Sequence, residues 1–232
     1  MEQNHAIQDE FHHLLVKVFK SEPSVALEEL AAFEDRNSGG PDFEGIRAVF
    51  YSTKAKIHED IGDFPKAMSI YHELLEESIN KTPRDDYEIG VNSLSLVRLL
   101  ERIEAINKAV DLAELTLKRY DIGLNCSLSL LNFLTAHLNE SQLKIYQGTL
   151  KKINDTLGAS IKNGTRLSDS IRKLFQENKR AAQKLTQLQA SISDPITKEY
   201  IEEIQEYVDR EPLTYYKEQG QRFLDYLLQI GK

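Results

Sequence analysis

The sequence predicts an all-α fold, and three observations carry that expectation. Apolar residues recur at steps of three and four along nearly the whole chain, as on one face of a helix, and no stretch alternates convincingly as a strand does. The helix breakers are few and bunched: 11 Gly and 6 Pro in 232 residues, with the densest run, Asn37-Ser38-Gly39-Gly40-Pro41, lying between two periodic segments. Composition agrees, because 41% hydrophobic and 28% charged residues suit a globular helical chain and fit disorder, collagen or a disulfide scaffold poorly.

Taken in order, Ile7, Phe11, Leu14, Leu15, Val18 and Phe19 form the first apolar stripe. Ser21-Glu22-Pro23 supplies a cap and a helix-opening proline, after which Ala26, Leu27, Leu30, Ala31 and Phe33 repeat the period. These two helices make a first hairpin. Phe43, Ile46, Val49, Phe50, Ile57 and Ile61 continue the pattern to a stop at Gly62-Asp63, and Phe64, Ala67, Met68, Tyr71, Leu74 and Leu75 restart it, giving a second hairpin with almost no loop. A third spans about 87–120, with Val91, Leu94, Val97 and Leu100 on its first helix and Ile106, Ala109, Val110 and Ala113 on its second. The small residues Ala26, Ala67 and Ala109 lie 41 and 42 residues apart, a step that suggests an internal repeat. Hairpins of this length bury their apolar faces only by stacking, which leaves a curved surface free for binding.

The segment from Asp60 to Tyr71 resembles the tetratricopeptide repeat. Gly62, Phe64, Ala67 and Tyr71 fill the family's places for a glycine turn, an aromatic, a small residue and a second aromatic, and Tyr51 and Ala55 fill the large and small places of the preceding helix. The resemblance is good over one repeat, about residues 48–80. It fades around Ile106, Ala109 and Ala113, where Glu104 replaces the turn glycine and the step exceeds the usual length of about 34 residues. It implies a right-handed superhelix of antiparallel hairpins over residues 1–138.

From residue 139 to 232 the rhythm changes. Leu143, Tyr146, Leu150, Ile153 and Leu157, then Leu167, Ile171, Leu174, Asn178, Ala181, Leu185, Leu188 and Ile192, step alternately by three and four, a heptad seam suited to long, nearly aligned helices. Asn163-Gly164 would turn the chain between them into an antiparallel hairpin. Asn178 either fixes the register of that seam or faces solvent. Ser193 or Asp194, with Pro195, reads as the start of the next helix, whose stripe is Ile196, Tyr200, Ile204 and Tyr207. Past Pro212, Leu213, Tyr216, Gly220, Phe223, Leu227 and Ile230 complete a capping layer; alternatively, the seam finds its mate in a second copy of the chain.

Charge divides the chain again. Residues 1–140 carry 14 basic against 25 acidic groups, residues 141–192 ten against three, and the last 40 residues five against nine. The basic segment (Lys144, Lys151, Lys152, Lys162, Arg166, Arg172, Lys173, Lys179, Arg180 and Lys184) either complements acidic neighbours or forms a ridge for an acidic partner.

Chemical motifs are sparse. Neither the phosphate-cradling nor the dinucleotide glycine pattern occurs, and Gly39-Gly40 belongs to an interhelical loop, so no cofactor is expected. His5, His12, His13, His58, His72 and His137 form no His-Glu-x-x-His pair, and the single Glu10-Phe11-His12-His13 run is half of what a di-iron bundle needs. His58-Glu59-Asp60 and His72-Glu73 read as solvent-facing helix residues. Cys126, among Leu124, Leu128, Leu130 and Leu131, reads as a buried thiol, and one cysteine suits a reducing compartment. No apolar run is long enough to span a membrane and the first 20 residues lack the pattern of a signal peptide, so no membrane association and a cytoplasmic address are expected.

In tetratricopeptide proteins the first helix of each hairpin lines the concave face. The resemblance therefore implies a partner-binding set at Ser52, Lys56, Glu59 and Asp60, and at Leu94, Arg98, Glu101 and Arg102. The family's carboxylate clamp for chaperone tails wants lysine at Ser52 and asparagine at Lys56, which argues against that ligand. The expectation is a non-enzymatic interaction protein (adaptor, regulator, chaperone or toxin-neutralising immunity protein) holding a partner polypeptide. The alternative is a nucleic-acid-binding regulator using the basic segment 141–192, against which the net acidity and the lack of interleaved aromatics count.

Overall fold

The computed structural model of the chain describes residues 3–159, 166–192 and 196–230. Among them every regular element is helical, as the periodicity requires. The expected turn at Asn163-Gly164, the cap at Ser193 or Asp194 with Pro195, Lys162 and the side chains of His5 and Ile230 lie outside the described residues.

The chain forms two compact units, 1–123 and 124–232. The first contains α1 (Gln3–Val18), α2 (Pro23–Asn37), α3 (Arg47–Asp60), α4 (Phe64–Asn80), α5 (Asp86–Arg102) and α6 (Ile106–Arg119), with a short 3-10 turn at Pro41–Gly45. Its first core is aromatic. Phe11, Phe33, Phe43 and Phe50 come from α1, α2, the 3-10 turn and α3, with ring centroids 5.3–6.4 Å apart, and all four are buried. Such rings supply large apolar area per residue and prefer these tilted and edge-on contacts. Pro23 opens α2 as expected; Glu22 holds the cap position without a side-chain hydrogen bond, and the Ser21 hydroxyl donates back to the Lys17 carbonyl at the end of α1.

Several stripe residues leave the core for local reasons. Phe19 is 72% exposed because α1 ends at Val18 and the chain has begun to turn. Val49 and Ile61 are exposed too, since the buried line on α3 runs through Phe50, Thr53 and Ile57, and Ile61 belongs to the turn after it. On α5 the buried set is Ile89, Asn92, Ser93, Leu96, Val97, Leu99 and Leu100, a wider arc than the predicted line, and Val91 and Leu94 are only half-buried. The cause is packing on two sides: α4 covers one flank of α5 and α6 the other. Ala26, Ala67 and Ala109 are each buried to 1% exposure or less, as small residues at helix crossings must be.

The second unit holds α7 (Leu124–His137), α8 (Glu140–Leu143), α9 (Gln147–Leu157), α10 (Leu167–Ala190), α11 (Lys198–Arg210) and α12 (Thr214–Ile230). The change of rhythm at residue 139 places α7 with the first part. Its packing places it with the second, because Leu128, Leu130, Leu131 and Leu134 are fully buried and α10 lies against α7. The heptad stripe of α10 is buried within its own chain at Ile171, Leu174, Asn178, Ala181, Leu185 and Leu188, while Ile192 past its end is exposed. It rests mainly on α7 and then α12, with only slight contact to α9, so the seam is shared among several helices instead of closing one hairpin. Thr197 caps α11 by accepting from the Tyr200 N–H. On α12 the buried line is Tyr216, Gly220, Leu224 and Leu227, with Phe223 half-buried beside it. Cys126 is buried.

Candidate partner-binding surface

The turns α3–α4 and α5–α6 set the geometry of the predicted surface. In the first, the N–H groups of Ile61, Gly62 and Asp63 donate to the carbonyls of Ile57, Glu59 and His58. In the second, Ile103, Glu104 and Ala105 donate to Leu99, Glu101 and Leu100, the same three bonds displaced by 42 residues. Gly62 and Glu104 both adopt the left-handed conformation that this helix-ending motif requires, with φ of 82° and 61°. The α1–α2 turn lacks the third bond, so the repeated geometry covers α3–α6 and not the first hairpin.

These matched turns bring the C-terminal ends of α3 and α5 together. Glu59, its side chain only 12% exposed, accepts from Lys56 Nζ at 3.1 Å and from Arg102 Nη1 of α5 at 2.9 Å. Lys56 also reaches Asp60 at 3.0 Å. Burial alone would lower the Lys56 pKa, but hydrogen bonds to Asp60 and Glu59 outweigh it and hold the ammonium above its ordinary value. The Arg102 guanidinium lies 5.3 Å from the Phe64 ring centroid, a cation–π contact to the aromatic that opens α4. Beneath the charges sits Tyr71 of α4, whose hydroxyl is pushed up to about 12 by burial first and then by Glu59 and Asp60, with Arg98 opposing them.

Of the predicted set, Lys56, Glu59, Asp60 and Arg102 form one ion network across α3 and α5, and Arg98 acts on the same Tyr71. Glu101 is exposed and has its own interaction partner. Ser52 and Leu94 are half-buried, further along α3 and α5. The adjacent triplet is less solvated than expected: His58 is mostly covered and its Nδ1 lies 3.2 Å from Asp63 Oδ2, while Glu59 is the enclosed centre of the network. Lys56, Arg98 and Arg102 balance Glu59, Asp60 and Glu101, so the face offers alternating charge and not a net field.

No protein-family model, curated protein or solved structure matches the chain. Its surfaces must therefore be read from their own chemistry. Among the described residues no group of three or more His, Cys, Asp or Glu could hold a metal ion, and no helix is long and apolar enough to cross a membrane.

Part of the basic segment is engaged inside the second unit. Arg180 donates to both carboxylate oxygens of Glu211 at 3.0 and 3.1 Å, Lys184 pairs with Glu203 at 2.7 Å, and Arg172 donates to the Thr135 hydroxyl and carbonyl. Lys179, Arg180 and Lys184 face Glu203, Tyr207 and Glu211 across a cleft of about 720 Å³ between α10 and α11. Asn178 is buried: it donates to Asn125 on α7 and accepts from the Tyr216 hydroxyl on α12, so it ties three helices together. Sequence reasoning missed Arg47, Glu77, Ser78 and Asn92, which line a polar cavity at the opposite end of α3 and α5. Their only signal was an asparagine within the apolar line of α5.

Proposed function

We propose that the chain is a non-enzymatic interaction protein whose tetratricopeptide-like hairpins, α3–α6, hold a partner polypeptide on the face bearing Lys56, Glu59, Asp60, Arg98, Glu101 and Arg102. The observation that supports this most is the repeated turn, which sets the ends of α3 and α5 side by side and joins them through Glu59 and Arg102. A hairpin stacked on its neighbour in one register presents its first helices as a continuous surface, the geometry by which helical repeats take an extended or helical segment. Alternating charges there favour a partner with a complementary pattern and penalise one without it.

The test is capture from the native source at roughly physiological ionic strength, where exposed long-range attraction is screened beyond about 8 Å. Wild type is compared with a variant carrying Arg98→Glu and Arg102→Glu. A polypeptide retained by the first and lost by the second, with nuclease treatment making no difference, supports the reading. Retention unaffected by the reversals argues against it. A nucleic-acid regulator is the weaker reading, because Arg172, Arg180 and Lys184 already have partners within their own unit.

A further inference from the structure

A cavity of about 420 Å³ lies where the start of α3, the end of α4 and the start of α5 meet, within the range of roughly 300–1,000 Å³ common to ligand sites. Its floor holds Asn92, 4% exposed. The Asn92 amide donates to the Leu74 carbonyl at 3.2 Å and to Ser78 Oγ at 2.7 Å, which uses both of its N–H groups. This fixes which way the amide points, since reversing it would set Oδ1 against a carbonyl that can only accept. Among the described residues nothing donates to Oδ1, which is open to solvent and so offers an accessible acceptor.

The walls are charged, and their cations are already matched. Arg47 grips Glu77 through both nitrogens, and Lys81 reaches both oxygens of Glu88 at 3.0 Å. Glu44 adds a further exposed carboxylate, leaving the lining with a net negative charge. Ala48 and Leu74 supply the apolar part of the wall. Around it, residues 1–123 carry 14 basic and 24 acidic groups, so the unit as a whole attracts cations.

We propose that this cavity accepts an arginine side chain from a basic segment of the partner polypeptide, an inference that rests on the interaction reading above. A guanidinium brings a planar fork of N–H donors for Asn92 Oδ1 and the Glu44 carboxylate, its fixed positive charge suits the acidic wall, and its aliphatic stem lies along Ala48 and Leu74. A lysine ammonium brings the charge without the planar fork, and an acidic or neutral segment leaves the Glu44 carboxylate without a counter-charge.

The experiment titrates the full chain with a fluorescein-labelled Gly-Ser peptide bearing arginines, followed by anisotropy. The same peptide with lysine or citrulline at those positions serves as control. The arginine peptide binds, the lysine peptide binds severalfold more weakly, and citrulline abolishes binding. Glu44→Gln, on the exposed rim, weakens the arginine peptide severalfold, and Asn92→Leu weakens it about tenfold, as expected when a hydrogen bond to a charged donor is lost. A circular-dichroism melt of each variant confirms that it is folded, and Glu44→Gln carries the test if Asn92→Leu is not. Equal binding of all three peptides, binding indifferent to both substitutions, or no binding of the arginine peptide overturns the inference. If Arg98→Glu with Arg102→Glu abolishes peptide binding while the cavity variants do not, the interaction reading stands and the cavity assignment falls. If the peptide behaves as expected but native-source capture is insensitive to those reversals, the cavity stands and the α3–α5 face falls.

Discussion

Glu104 and Gly62 occupy the same place in two turns with the same hydrogen bonds, yet only one of them is the residue such a place favours. A side chain at positive φ brings Cβ toward the carbonyl oxygen at a cost on the order of 1 kcal/mol, which glycine avoids. Glu104→Gly is therefore expected to stabilise the chain by about 1 kcal/mol and Gly62→Ala to destabilise it by about the same. A Cβ at Gly62 meets nothing within 4 Å, so the second effect is conformational and not steric. Urea midpoints at unchanged slope measure both, and two unmoved midpoints would remove the shared-turn argument. Four residues past the first turn glycine's neighbour Asp63, Ala67 is fully buried, and Ala67→Leu is expected to cost about 1–3 kcal/mol by overpacking. The two turns differ in how far the sequence exposes them. Gly62 announces its conformation through its type, whereas Glu104 has no local feature that favours positive φ.

At the scale of the elements, α10 shows which part of a helix the sequence makes legible. Its buried stripe follows from a three–four period that any helix imposes on its own face. What covers that stripe does not follow, because the covering residues on α7 and α12 are distant in sequence and their choice depends on how several helices share one core. Asn92 was illegible for a similar reason: asparagine on a helix is usually solvated, and only the tertiary fold shows it buried over a cavity. The start of α10 leads to a prediction about pH. Glu140 accepts from the N–H groups of Leu167 and Ser168 and from the Ser168 hydroxyl, and these bonds, that of the Ser168 side chain foremost, hold its carboxyl below the ordinary value. A depressed folded pKa contributes stability above the ordinary carboxylate range and loses it as pH falls through the folded pKa. Glu140→Gln should thus lower stability at neutral pH and flatten the acid limb of the stability curve. An acid limb identical to wild type would contradict this cap. Further along α10, Glu211 is buried and held by Arg180, while the Lys184–Glu203 pair is exposed. Arg180→Ala leaves a buried carboxylate without its half-exposed counter-charge and is expected to cost about 1–3 kcal/mol. Lys184→Ala should cost under about 1 kcal/mol. Equal effects in thermal or urea unfolding would show that Glu211 is not the charge Arg180 serves.

For the molecule as a whole, composition made the all-helical class legible, and the charge count marked out the basic segment without showing what it meets. Arg172 and Arg180 bond Thr135 and Glu211 inside the second unit, which gives that part of the segment a structural use. Reversing Arg172, Lys173, Lys179 and Arg180 together should therefore lower stability while leaving nucleic-acid binding near physiological salt absent before and after. A clean electrophoretic shift of wild type, abolished by those reversals, would instead favour the nucleic-acid reading. Hydrogen exchange of the full chain with and without its captured partner tests whether α3 and α5 form the binding face. Added amide protection is expected in α3 and α5, with Arg98→Glu and Arg102→Glu removing it. Protection confined to α10 and α11, with α3 and α5 unchanged, would contradict it.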